Sequence, residues 1–158
     1  MFPLLAFTVL IAGDTDQMKK FDFLLGEWML EYHVPESSYS EAMTGTGRGF
    51  FRSALDNKYV TFDYECELEG EKGAAHGIFG WDETLQIYRY WWFESSGAYA
   101  TATCQFIDDN ILYMNWHNSV LRQTFRRIND NEVILHMDQP NPDGEYNLVL
   151  EVLLRRAS

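Results

Sequence analysis

From residue 26 onward, apolar and polar residues alternate in short runs broken by turn residues. Within 58–68, Val60, Phe62, Tyr64, Cys66 and Leu68 form one set, and Asp63, Glu65, Glu67 and the following Glu69 form the other. Side chains on a strand alternate between its faces, so this is a strand with an apolar inner side and an acidic, solvated outer side. Within 145–155, Tyr146, Leu148, Leu150, Val152 and Leu154 make an apolar set opposed by Asn147 and Glu151. Runs of this kind predict strands at 27–34, 42–54, 58–68, 73–81, 86–94, 98–107, 111–118, 121–128, 132–138 and 145–155. Asp56-Asn57, Gly70 to Gly73, Asp82-Glu83, Ser95 to Gly97, Asp108 to Asn110, Asn129 to Asn131 and Asn141 to Gly144 supply the turns. Short strands at such regular spacing predict an all-β sandwich or barrel. With no second helix of useful length, parallel βαβ units are excluded. Before residue 26 the period changes. Met18, Phe21 and Leu25 recur at helical spacing, Asp14 with Gln17 three residues on makes a capping box, and Gly26 stops a helix over 14–25.

The middle strands carry mixed faces. Tyr88, Tyr90, Trp92 and Glu94 share one face, opposed by Ile87, Arg89, Trp91 and Phe93. Asn115 and His117 oppose Met114 and Trp116, and Tyr99, Thr101, Thr103 and Gln105 share a face of 98–107. A filled core rejects polar groups unless each is paired, whereas a cavity holding water or ligand tolerates them. Polar positions on faces that point inward therefore imply a cavity, lined by His76, Tyr90, Trp92, Glu94, Trp116, His117, Arg126 and His136. Aromatic walls with a few polar anchors suit a small, partly apolar molecule. For Tyr90, Trp92 and Glu94, plain packing fits the pattern equally well.

Composition narrows the choice of partner. The 158 residues fit one domain, 14–158, after an N-terminal segment 1–13, and 16% of the chain is aromatic. A net charge of −12 argues against nucleic acid, whose phosphates demand a basic face. Phe2 to Ala12 is apolar but too short to span a membrane, which takes about 20 residues. It reads either as an arm packed on the barrel or as a secretory leader, although no basic residue precedes Lys19. Compartment stays open with it. Cys66 and Cys104 fall on strands with two others between them, roughly 14 Å apart at ordinary strand spacing. That exceeds the reach of a disulfide, so both read as free thiols, as suits a reducing compartment. His33, His76, His117 and His136 show no ligand spacing, so no metal site is expected. No nucleophile motif or phosphate loop stands out. Glu94 with His76 or His117 would make an acid–base pair only if the fold brought them together.

Gly26-Glu27-Trp28 after the helix resembles the Gly-x-Trp opening of lipocalins and the wider calycin group. The resemblance implies an antiparallel up-and-down barrel of about ten strands, with Trp28 plugging the end beneath the helix and Arg156 packed over it. A closer resemblance is to an uncharacterised, mostly bacterial lipocalin-like family. It rests on Leu25-Gly26-Glu27-Trp28, then His76-Gly77-Ile78-Phe79-Gly80-Trp81-Asp82, Tyr88, Trp91-Trp92-Phe93-Glu94-Ser95 and Gly97. Trp81 and Glu94 stand where that family usually has Tyr and Asp. The likeness runs from about residue 15 to the end and implies a barrel but no activity. A related barrel family, nitrobindin, holds haem on a single inward His, but its opening has a second Gly where this chain has Met29-Leu30. No cofactor is expected otherwise. The expectation is a barrel binding a small molecule. Its rivals are a cofactor-free calycin-type isomerase or cyclase, and an interaction barrel with a filled core. Monomer and homodimer both stay open.

Overall fold

The computed structural model describes residues 15–37 and 41–158. The Asp14 cap and the segment 1–13 lie outside the described residues. A single turn of helix α1 (Thr15–Met18) runs into a 3-10 helix, Lys19–Leu24. Ten strands follow: β1 (Gly26–Val34), β2 (Met43–Ala54), β3 (Tyr59–Leu68), β4 (Glu71–Asp82), β5 (Ile87–Glu94), β6 (Tyr99–Asp108), β7 (Ile111–Trp116), β8 (Arg122–Asn129), β9 (Glu132–Pro140) and β10 (Tyr146–Arg156). Each strand pairs antiparallel with its neighbours in sequence, and β1 pairs with β10 to close the barrel. This is the all-β barrel that the alternation allows, and the lipocalin-like, up-and-down form that the resemblance implies.

The helix differs from its expected form. A 3-10 helix repeats every three residues, so its buried side carries Met18, Phe21 and Leu24, while Leu25 is only half-buried. Phe21 packs against Phe79, Tyr88 and Phe106, with ring centroids 4.9, 5.3 and 5.1 Å away. Tyr88 Oη donates to the Gln17 carbonyl at 2.8 Å and reaches Gln17 Oε1 at 3.0 Å, tying the helix to β5.

Trp28 closes this end of the barrel. It is fully buried, and its Nε1 donates to the Leu24 carbonyl at 2.6 Å. The Arg156 guanidinium lies over the indole at 4.3 Å and donates to the carbonyls of Leu25, Phe23 and Asp130. Stacking of this kind contributes about 0.5–2 kcal/mol. Gly26 is required twice over. Its φ is +116°, and a Cβ there would stand 2.9 Å from Arg156 Nη1.

Register shifts interrupt the β6–β7, β8–β9 and β9–β10 pairings, and the last of these moves side chains expected inside. The β9–β10 register shifts between Leu148 and Leu150, so Leu148 pairs with Asp138 but Leu150 with Met137. Paired residues share a face, and a bulge reverses the parity of everything before it. Leu150, Val152 and Leu154 face in as expected. Tyr146 and Leu148, expected inside, share the outer face with Asp138 and Arg122, whose guanidinium stacks 3.7 Å above the Tyr146 ring.

Candidate functional site

Above the plug the barrel is floored with rings. Phe51 stacks on Phe62 at 3.8 Å, Phe79 on Tyr90 at 4.3 Å, and Phe125 meets Phe51 and Phe79 edge-on. From this floor a cavity of about 310 Å³ extends to Asn118 and Ser119 in the β7–β8 connection, at the end opposite Trp28. Its wall is made by alternate inward residues, among them Tyr32, Tyr64, Tyr90, Trp92, Trp116 and Gln123. Gly77 makes room for one of them, since a Cβ there would stand 2.1 Å from Tyr90 Oη.

The wall is apolar except for a few oriented polar groups. Trp92 Nε1 donates to Tyr64 Oη at 3.0 Å. The Tyr32 phenol and the Cys66 thiol interact on the inner side of β1 and β3. Burial pushes the Tyr32, Tyr64 and Tyr90 phenols above their ordinary range, so all three stay protonated and neutral. Burial also raises the Cys66 and Cys104 thiols, both free, which keeps them in the unreactive protonated form.

Trp116 Nε1, the Gln123 carboxamide and Tyr90 Oη, all on the wall, make no hydrogen bond to a described residue. Of these, Trp116 Nε1 is the atom fully cut off from solvent. Gln123 is 6% exposed, and no described residue hydrogen-bonds its carboxamide. The register explains why. Across the sheet, Gln123 pairs with Met114 on one side and Met137 on the other, beyond which lie Cys104 and Leu150. Thioethers and hydrocarbon offer an amide almost nothing.

The eight expected lining residues separate by face. Tyr90, Trp92 and Trp116 come together on the cavity wall. Glu94 lies on the same inner face, in one row with Ala75 and Tyr64 near the open end. The other four are corrections. His76 pairs with Phe93 and bonds Asp63 at 2.6 Å on the outer face. His117 bonds Thr101 Oγ1 at 2.8 Å outside, and His136 bonds Glu151 at 2.8 Å outside. Arg126 follows the inward Phe125 and is exposed. The polar face of β6 also points out. Ala100, Ala102, Cys104 and Phe106 are its inner set, and Thr101, Thr103 and Gln105 its outer one. Glu94 and the histidines are thus on opposite sides of the sheet, and the acid–base pair does not form.

A histidine-ligated haem does not fit this wall. His33, next to the inward Tyr32, is exposed, and with the other three it places every imidazole of the chain outside the cavity. Sequence reasoning missed Tyr32, Tyr64 and Gln123. The last had a signal: Leu121, Gln123 and Phe125 alternate with Arg122, Thr124 and Arg126, which puts Gln123 with the apolar set.

A closed ten-stranded barrel, plugged at one end by Trp28 and Arg156 and hollow at the other, defines a lipocalin-like protein. Residues 15–156 match the family described as "Protein of unknown function (DUF1579)", and the chain belongs to that family. A search of the curated proteins finds no match. Among solved structures, the chain is similar to Rv2717c from M. tuberculosis, with TM-score 0.67, 10% identity, and 90% of this chain and 98% of that one covered. It is also similar to the S-type phycobiliprotein lyase CPES from Guillardia theta, with TM-score 0.58, 11% identity, and 89% and 92% covered. At these identities the likeness concerns the fold. No helix among the described residues is long and apolar enough to cross a membrane.

Proposed function

We propose that this barrel binds a small, largely apolar molecule in the cavity between its ring floor and its open end. The observation that carries the reading is the cavity itself, about 310 Å³ walled largely by tyrosine and tryptophan rings above the ring floor. Its volume is in the range of sites that enclose small ligands. A filled-core interaction barrel would have no such space. An acid–base enzyme has little support here, because no carboxylate or imidazole is among the wall residues.

The test is a titration with the neutral fluorophore N-phenyl-1-naphthylamine, beside native mass spectra of the protein from its own host. Wild-type protein should bind the fluorophore saturably. Ala100→Trp, which fills the wall from β6, should weaken binding at least about tenfold, or about 1.4 kcal/mol. A discrete added mass on the native protein would name the ligand class. Absence of both fluorophore binding and added mass would remove the proposal.

A further inference from the structure

The cavity wall also indicates what head group its ligand carries. Gln123 presents an N–H donor and a C=O acceptor from a 6%-exposed side chain, in a row of sulfur and hydrocarbon that satisfies neither. Trp116, two residues along β7 from the Met114 that pairs with Gln123, is a diagonal neighbour on the same face and carries an unpartnered N–H. Both therefore occur on one side of the cavity, on β7 and β8. The remaining polar groups of the wall include the Tyr64 hydroxyl, already engaged by Trp92, and Asn118 and Ser119 at the open end.

Charge decides the rest. No Lys, Arg or His stands among the wall residues, and Arg122 and Arg126 on β8 both belong to the outer face. A ligand carboxylate would be buried without a counter-ion, past the inner-face Glu94 and into a chain of net charge −12. An ammonium would find rings but no acid on the wall itself. A neutral group with donor and acceptor side by side exchanges its two water hydrogen bonds for two from Gln123.

We infer that the ligand is uncharged, with an apolar ring body and a carboxamide- or lactam-like head that pairs with the Gln123 side chain. This rests on the proposed small-molecule reading and makes it specific. The test is displacement of N-phenyl-1-naphthylamine from the full-length protein by three compounds sharing one body: 2-naphthamide, 2-naphthoate and 2-naphthylmethylamine. The amide should displace at a concentration about tenfold lower than either charged compound, the scale of one well-made buried hydrogen bond. In Gln123→Leu and Gln123→Met, with each compound's displacement referred to that variant's own fluorophore affinity, the amide's advantage over both charged compounds should fall to about twofold or less. If the fluorophore binds but the carboxylate or the amine matches the amide, the head-group inference is overturned. An amide advantage that survives both substitutions overturns the role of Gln123. If the wild type binds no fluorophore, the cavity reading itself fails, which is a distinct result.

Discussion

The two ends of the barrel use the same residue types to opposite purposes. At the closed end, Trp28, Tyr88 and Arg156 are buried or half-buried, and each donates to a backbone carbonyl of the N-terminal segment or of the β8–β9 turn. At the open end, Gln123 is buried and Trp116 half-buried, and neither side chain makes a protein hydrogen bond. Satisfied donors hold a structure together, whereas unsatisfied ones cost stability that a ligand restores when it supplies the missing partner. The contrast locates stability below the ring floor and recognition above it.

The sharpest way to break this division is to exchange the two tryptophan positions as targets. Trp28→Ala removes the plug and strands the Arg156 guanidinium, and should cost about 3–5 kcal/mol in a denaturant titration. Trp92→Ala, at a wall that already borders space, should cost less than half as much and instead weaken fluorophore binding. Equal losses at both positions would mean that the ends are not distinct.

A smaller effect probes the boundary between them. Gly77→Ala forces a methyl into the Tyr90 hydroxyl, and overpacking of this kind should cost about 1–3 kcal/mol. Removing the hydroxyl with Tyr90→Phe should recover part of that loss, measured as a coupling energy in a double-mutant cycle. Full additivity would show that the ring is free to move away.

Gln123→Leu should do what few core substitutions do and leave stability unchanged or raise it, by up to about 1 kcal/mol, because the carboxamide makes no protein hydrogen bond to lose. Thermal unfolding in the absence of ligand reads this directly. A lower midpoint would mean that the amide is satisfied in solution.

The smallest effect lies outside the barrel. The Arg89 guanidinium, 2.7 Å away, holds the Asp82 carboxyl below its ordinary range, helped by the amides of Leu85 and Thr84. A carboxyl lowered in the folded state adds stability that is present above its unfolded pKa, about 3.9, and is lost as pH falls through the folded value. Asp82→Asn should therefore lower the melting temperature slightly at pH 7, and the two proteins should converge toward pH 3 and below. A constant difference across that range would assign the effect to the turn rather than to the charge.

The strands were legible because alternation and turn residues set their limits almost everywhere, and Trp28 with Arg156 was legible from the resemblance of Gly26-Glu27-Trp28 to the lipocalin opening, with the parity of the last strand selecting Arg156. Alternation shows which residues share a face, but not which face is inside. In β5 both sets are aromatic, and in β6 the inner set is small and the outer set polar, so the polar outer faces were read as a cavity lining. His76, His117, Arg126 and His136 were misplaced for this reason. Tyr146 and Leu148 were misplaced for another: a single-residue bulge leaves no mark on an otherwise regular apolar run.

The pairing of β1 with β10 has a consequence for how the chain matures. Neighbouring strands zip together through short turns, but the seam joins residues from the two ends of the described chain, as in Trp28 with Arg156. Contacts so distant in sequence form slowly. During synthesis the seam cannot close until the final strand has left the ribosome, and until then β1 and the growing last strand present bare edges that any other extended chain could join. A protein ending before Tyr146 would leave that exposure permanent, so the pairing of β10 marks the passage from an adhesive sheet to an edgeless one.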